Sequence, residues 1–263
     1  MNKITNKVAQ VTIFFWIMKI CATTLGETAG DLMSMTLNVG YAVSSVILIS
    51  LFLISLVMQI KSKAFHPVLY WLVIVTTSTA GTTVSDYMNR TLGLGYLTGS
   101  LVLITGLVIV LAVWRYAEGN LSVNNIQTTK AELFYWTAIL FSNTLGTSLG
   151  DFLADDSGLG FLGGAVLIGG LIGLVVIGYY FTNISRVVLF WIAFVLTRPF
   201  GATFGDLLTK PVENGGLNLG TIGSSLVLGA LLIIFIVYTT IRDRRISSNY
   251  KEIGNLRTEM EMN

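Results

Sequence analysis

The sequence predicts an all-α integral membrane protein with eight transmembrane helices, built as four two-helix repeats of the same orientation. Three observations predict it. Of the 263 residues, 53% are hydrophobic and only 11% are charged, and the mean hydropathy is +0.75; ordinary soluble domains carry roughly a quarter charged residues. Apolar runs near the length of about 20 residues that crosses a bilayer recur eight times. A Trp and an Asp also recur four times at one fixed spacing.

The apolar runs come in pairs. The first run of each pair fills with Thr, Ser and Gly towards its end, whereas the second stays aliphatic. The predicted spans are 8–26, 41–60, 67–84, 96–114, 131–149, 161–181, 187–205 and 221–241. We therefore expect repeats one and two in residues 1–115, a polar cytoplasmic linker in 116–130, repeats three and four in 131–241, and a basic cytoplasmic tail in 242–263.

The charges predict the orientation of these spans. Twelve of the 16 basic residues fall on one side of an eight-span chain: Lys3, Lys7, Lys61, Lys63, Arg115, Lys130, Arg186, Arg242, Arg244, Arg245, Lys251 and Arg257. Because positive residues stay on the cytoplasmic side, both termini are expected there. Eight of the 14 acidic residues gather on the opposite side, which predicts an acidic outer face.

The repeat follows the pattern W-x9-G-x-[TS]-x-[GS]-D. Positions are counted here from the Trp as zero, so that the Asp is position 15. The tryptophans, which we expect to anchor the spans at the membrane interface, are Trp16, Trp71, Trp136 and Trp191. A hydroxyl residue stands at position 12 in each copy: Thr28, Thr83, Ser148 and Thr203. A further Gly lies nine residues after the Asp in the first three copies and is delayed to Gly220 in the fourth.

This fourfold hairpin resembles a family of bacterial multi-pass proteins labelled only as uncharacterised membrane-anchored proteins. The resemblance extends from about Val8 to Ile241 and implies the four-repeat membrane architecture and little more. It implies no particular activity. We expect the chain to lie in a bacterial inner membrane. Two departures occur within the repeats: Ser85 replaces the second Gly of the pattern, and Arg198-Pro199 stands where the other copies carry polar pairs such as Thr23-Thr24.

At about 100° per residue, positions 8, 11, 12 and 15 share one face of a helix. If four such faces converge, they form an outward vestibule of carboxylates and hydroxyls. The oxygen-only ligands suit a hard cation such as Mg²⁺, Ca²⁺ or Mn²⁺. The candidate metal ligands are Asp31, Asp86, Asp151 and Asp206, and the other candidate ion-binding residues are Glu27, Thr28, Thr83, Ser148 and Thr203.

Small residues occupy a different flank of the same helices, where a four-residue spacing lets membrane helices approach closely. These predicted packing residues are Gly26, Gly30, Gly81, Gly146, Gly150, Gly201 and Gly205. A purely structural role for the polar face stays open, because Thr and Ser often bond to backbone carbonyls in packed membrane helices.

Two cations stand inside predicted spans, where an ionisable residue is costly and tends to be functional. Lys19 and Arg198 are candidates for charge pairing with a carboxylate of another repeat or for coupling protons to transport. A purely structural role remains open for Lys19. For Arg198, the alternative is that it only neutralises part of the acidic cluster.

Several function classes are excluded. A net charge of +2 gives no basic excess to hold nucleic acid. A single Cys and a single His remove disulfide frameworks, cysteine metal clusters and the common hydrolase triads, so no enzyme activity and no cofactor are expected. The sequence favours a transporter or channel-like carrier of a small cation in the lipid bilayer. The alternative is a non-transporting sensor or assembly scaffold, and self-association is open in either case.

Overall fold

The computed structural model describes the backbone of residues 7–62, 64–123, 126 and 128–262, and the side chains of those residues up to 245. Lys3 and Lys63 of the predicted basic set lie outside the described residues, as do the side chains of Lys251 and Arg257. Within the described part the protein is all-α, with eight long helices: α1 Ile13–Asp31, α2 Tyr41–Lys61, α3 Pro67–Asp86, α4 Tyr96–Glu118, α5 Thr129–Asp151, α6 Gly160–Phe181, α7 Arg186–Thr209 and α8 Thr221–Met262.

Local sequence signals set several of these ends. Thr12 caps α1 by accepting a hydrogen bond from the Phe15 backbone N–H, and Thr128 caps α5 in the same way. Pro67 occupies the first turn of α3, where its missing N–H costs nothing. The segment expected as linker is shorter than predicted, because α4 continues to Glu118 and α5 begins at Thr129.

The aspartate of each of the first three copies is followed by a single π-helical turn. These turns span Leu32–Thr36, Tyr87–Thr91 and Phe152–Asp156. A reversal follows in which two positions per copy adopt positive φ, a conformation that favours Gly and Asn. The recurring positive-φ positions are Asn38 and Gly40, Gly93 and Gly95, Gly158 and Gly160, and Asn218 and Gly220, and the fourth reversal adds a third, Gly215. The recurring Gly is thus required by the turn that leads into the second helix.

The first helices of the repeats form a closed inner bundle. α1 packs against α3, α3 against α5, α5 against α7, and α7 against α1. The second helix of each repeat packs on the outside against the first helix of the next repeat: α2 on α3, α4 on α5, α6 on α7, and α8 on α1. Because the last repeat closes on the first, the four repeats surround one axis with approximate fourfold symmetry.

Six of the helices are long and apolar enough to cross a membrane, judged by length and composition among the described residues: Tyr41–Lys61, Pro67–Thr91, Tyr96–Glu118, Gly160–Phe181, Arg186–Thr209 and Thr221–Arg245. These helices have the length and composition that a multi-pass membrane protein requires. The remaining two, α1 and α5, are inner helices with a polar composition that includes Lys19 in α1 and Glu132 in α5. Outer helices expose aliphatic side chains such as Leu101 and Ile233 instead.

Aromatic side chains close the axis at the Trp end of the bundle. Each residue before a Trp packs on the Trp of the neighbouring copy, with ring centroids 5.5 to 6.4 Å apart: Phe15 on Trp71, Tyr70 on Trp136, Tyr135 on Trp191, and Phe190 on Trp16. The interfacial position expected for the tryptophans does not hold for three of them, since Trp71, Trp136 and Trp191 are buried in this layer. Ring packing between copies, which a single hairpin cannot form, accounts for the difference.

Candidate functional site

The inner helices approach so closely because glycine stands at every helix crossing. A Cβ added at position 10 of any copy would clash with position 7 of the next inner helix. The pairs are Gly26 with Ser78, Gly81 with Asn143, Gly146 with Arg198, and Gly201 with Thr23. Gly30, Gly150 and Gly205 at position 14 lie against position 11 of the adjacent helix, namely Thr82, Ala202 and Glu27. The structure therefore places all seven predicted packing glycines at contacts between inner helices.

This close packing stacks side chains in four levels along the axis. Positions 3, 7, 11 and 15 recur every four residues, so they follow one face of each helix. Each level contains one residue from each of the four copies. From the aromatic end outwards the levels are Lys19, Ile74, Ile139 and Phe194; Thr23, Ser78, Asn143 and Arg198; Glu27, Thr82, Thr147 and Ala202; and Asp31, Asp86, Asp151 and Asp206.

A buried ion pair occupies the centre of this stack. The Arg198 Nη1 donates to Glu27 Oε2 at 2.9 Å, and the two side chains are 0% and 3% exposed. The Arg198 Nη2 donates to the Thr82 and Thr147 hydroxyls at 2.6 and 2.7 Å. Both hydroxyls also lie within 3.2 Å of the same Glu27 oxygen. One side chain from each repeat thus meets at the axis, and the Arg198 partner is Glu27 rather than an aspartate.

The four aspartates lie above this pair in two bridged couples. Arg90 lies 3.1 Å from Asp86 and 3.4 Å from Asp151. In the same way, Lys210 lies 2.5 Å from Asp31 and 3.1 Å from Asp206. Each cation stands four residues after the Asp of its own copy and reaches the Asp of the next copy. Arg90 and Lys210 are 32% and 19% exposed, whereas the aspartates are nearly fully buried.

The charge of Lys210 is secured by its neighbours. Burial lowers its pKa, but the carboxylates of Asp206 and Asp31 outweigh that effect, and the net pKa of Lys210 lies above its usual value. Lys210 is therefore an ammonium at neutral pH. The repeat pattern predicts no role for Arg90 or Lys210. The sequence signal for both is a cation four residues after the Asp in the second and fourth copies.

Three carboxylates at this end could share one metal ion. Oxygens of Glu27, Asp151 and Asp206 all lie within 4.8 Å of one another, and the three side chains are buried. Glu27 comes from the first copy and the aspartates from the third and fourth. Asp31 and Asp86, two of the four predicted ligands, do not belong to this group.

The position 12 hydroxyls point away from the carboxylates. Thr28 bonds to Ser225 of α8 at 2.9 Å, and Ser148 bonds to Ser100 of α4 at 3.0 Å. Thr203 and Thr83 donate to backbone carbonyls of their own helices. The expected arc from position 8 to position 15 thus divides: positions 11 and 15 face the axis, whereas position 12 does not, and in copies one and three its hydroxyl joins an inner helix to an outer one. The structure does not bring these four hydroxyls to the ion-binding level.

Lys19 lies one level below Arg198, nearest the aromatic layer. It is fully buried and donates to the Asn143 Oδ1 at 3.4 Å, with its Nζ 4.2 Å from the centre of the Phe194 ring. Among the described residues no carboxylate lies within ion-pair distance of it. The carboxylate partner that we considered for Lys19 is therefore not found in the described structure.

Comparison with known proteins bears on the repeats. A search of curated proteins and a search of solved structures found no match. Four consecutive segments match one repeat family, at residues 14–65, 69–120, 134–185 and 189–245. Each segment contains one Trp-to-Asp helix and the outer helix that follows it, so the four predicted repeats are confirmed. The chain belongs to the family described as "Repeat of Unknown Function (DUF347)".

Proposed function

We propose that the protein is a membrane transporter for a small hard divalent cation, such as Mn²⁺, Mg²⁺ or Ca²⁺, which enters through the carboxylate end of the bundle. The observation that carries this proposal is the group of three buried carboxylates from three repeats, Glu27, Asp151 and Asp206, within 4.8 Å of one another. Carboxylate oxygens at such distances are the ligands that hard cations prefer.

The balance of charge at this end supports cation entry. Glu27 and the four aspartates supply five carboxylates, and Arg90, Arg198 and Lys210 supply three cations. With all five carboxylates ionised, as they would be around a bound cation, two negative charges remain for a divalent ion. Arg90 and Lys210 are the exposed members of the group, so an entering ion displaces these tethered cations from the aspartates while Arg198 stays in place.

The axis below this site is closed. Arg198, which pairs with Glu27 of the site, fills the level directly below it. Further down, the hydroxyl groups of Tyr70 and Tyr135 lie 2.6 Å apart in the aromatic layer. Transport under this proposal requires Arg198 to release Glu27 and the aromatic layer to open. Under this proposal, the closed arrangement is an outward-facing state with its inner path shut.

The same proposal includes eight membrane spans, with α1 and α5 enclosed by the other helices, in a bacterial inner membrane. Both termini then lie in the cytoplasm and the aspartates near the outer surface, as the distribution of basic residues favours. Cysteine labelling at the ends of α1 and α2 in intact and opened cells tests this orientation.

Flux measurements on purified protein in liposomes test the proposed activity. We expect Mn²⁺, Mg²⁺ or Ca²⁺ uptake by the wild type and its loss in D151N/D206N. The matched control is D155N/D156N, which removes two exposed carboxylates just beyond Asp151. Undiminished flux in D151N/D206N, or equal loss in the control, would overturn the proposal. Helical content measured by circular dichroism shows whether each variant folds.

The filled axis favours a second candidate, a non-transporting sensor or scaffold in which an ion at the carboxylates is structural. This alternative predicts that no tested ion crosses the membrane at any pH or imposed voltage. It also predicts that Mn²⁺ raises the melting temperature of the wild type and leaves that of D151N/D206N unchanged. The liposome assay and the melting assay together separate the two candidates.

A further inference from the structure

A second polar region lies deeper in the axis and contains mostly donors. Lys19, Asn143 and Arg198 come from three different inner helices and are each 0% exposed. Lys19 approaches Asn143 Oδ1 at 3.4 Å, the only hydrogen bond of its ammonium among the described residues. An ammonium carries three N–H donors, so most of its donor capacity is unused there.

The positive charge at this level is not balanced. Arg198 is paired with Glu27, and Glu27 is the only carboxylate on the axis below the aspartates in the described structure. Lys19 has the Phe194 ring and an amide oxygen as its described neighbours. Buried charges are normally paired, because removal from water is otherwise very costly. A buried Lys19 ammonium therefore needs a counter-ion that these residues do not provide.

Other donors around Lys19 also have no partner. The Asn143 Nδ2, the Arg198 Nε and the Ser78 hydroxyl are buried and make no hydrogen bond to any residue that the structure describes. Asn143, Ser78 and Arg198 occupy the same axial level, position 7 of three different copies. Buried N–H groups in native proteins nearly always have an acceptor. Unpaired donors next to an uncompensated cation indicate a missing negatively charged acceptor.

We propose that Lys19, Asn143 and Arg198 hold one small monovalent anion of the size of chloride. The Lys19 ammonium supplies the charge, and the Asn143 amide and the Arg198 Nε supply further donors. This site is distinct from the carboxylate group above it, and it does not depend on cation transport. In the assembled bundle the anion neutralises Lys19 and completes the hydrogen bonds of the inner level.

Chloride dependence of stability provides the first test. We would melt the purified protein in potassium chloride and in potassium gluconate at equal ionic strength. At saturating chloride we expect a rise of roughly 5 °C, since a ligand that binds only the folded state stabilises it. K19M should lose this rise, and K61M, which removes an exposed lysine at the end of α2, should keep it. A wild type that melts equally in both salts, or a K19M variant that still responds to chloride, overturns the proposal.

N143D provides a test that does not remove the cation. It places a carboxylate beside the Lys19 ammonium, where the native amide oxygen now lies at 3.4 Å. If Lys19 is charged and requires an anion, N143D melts higher than the wild type in gluconate and no longer responds to chloride. If Lys19 is neutral, the added carboxylate is itself unpaired and N143D melts lower in both salts, which overturns the proposal.

Bromide locates the ion directly in the wild type. Crystals grown in bromide should show an anomalous peak between Lys19 and Arg198, and a peak at the carboxylate end alone would contradict the assignment. Because these measurements use no divalent cation, failure of the anion site and failure of the proposed transport are distinguishable.

Discussion

Replacing Arg198 with Met should destabilise the protein more than replacing any other arginine that pairs with a carboxylate in the described structure. The substitution leaves the Glu27 carboxylate, which is 3% exposed, without its cation at the centre of the bundle. It also removes two donated hydrogen bonds of 2.6 and 2.7 Å to Thr82 and Thr147. Breaking a buried ion pair by deleting one partner costs about 3–5 kcal/mol.

That cost corresponds to a fall in melting temperature of roughly 6–20 °C, at about 2–4 °C per kcal/mol for a chain of this size. We would measure it by circular dichroism on protein purified in detergent. The matched control is R242Q, because Arg242 also pairs with a carboxylate, Asp243, but the two side chains are 32% and 61% exposed. Solvent-exposed pairs contribute about 0–1 kcal/mol, so the melting temperature of R242Q should fall by only a few degrees.

The double variant R198M/E27Q tests the stated cause. It removes both charges, so it should recover much of the stability that R198M loses. The reasoning fails if R198M melts within about 2 °C of the wild type, if the melting temperature of R242Q falls as far as that of R198M, or if the double variant melts no higher than R198M.

Two further predictions concern the helix packing and a buried hydrogen bond. G146A should lower the free energy of unfolding by about 1–3 kcal/mol, because the added Cβ meets the side chain and backbone of Arg198. The control is G170A, which has open space around its Cβ and should leave the melting temperature unchanged or raise it. Equal effects of the two substitutions would refute the close approach of the helices at Gly146. Y70F should lower the free energy of unfolding by about 1–3 kcal/mol, because it leaves the buried Tyr135 hydroxyl without its hydrogen-bond partner at 2.6 Å. The double variant Y70F/Y135F should melt higher than Y70F. A Y70F variant that melts like the wild type would exclude this hydrogen bond.

The four-repeat plan could be predicted because it depends on local patterns. Apolar runs and the fixed spacing from Trp16 to Asp31 are visible within one copy. The recurring glycines could be assigned to packing for the same reason, since a four-residue spacing places them on one flank. The comparison with known families confirms four repeats, and the structure confirms the all-α fold; eight membrane spans remain a prediction.

The candidate site could be predicted only in part. Helical periodicity grouped position 12 with positions 11 and 15, but Thr28 lies at the edge of that arc and bonds to Ser225 in α8. Which neighbour lies beside an edge residue depends on where the outer helices pack. The outer helix of each repeat packs against the inner helix of the next copy. No pattern within one hairpin predicts this packing between copies.

The sequence by itself determined the helices, the repeat and the gathering of acidic residues at one end, because each is set by residues within one helix or one loop. Only the tertiary structure decided which charges meet. Arg198 reaches Glu27 across 171 residues and Lys210 reaches Asp31 across 179. Such pairings depend on the cyclic closure of the fourth repeat on the first. Closure brings long side chains from distant copies within hydrogen-bond distance. The spacing of residues along the chain does not predict which of them then meet.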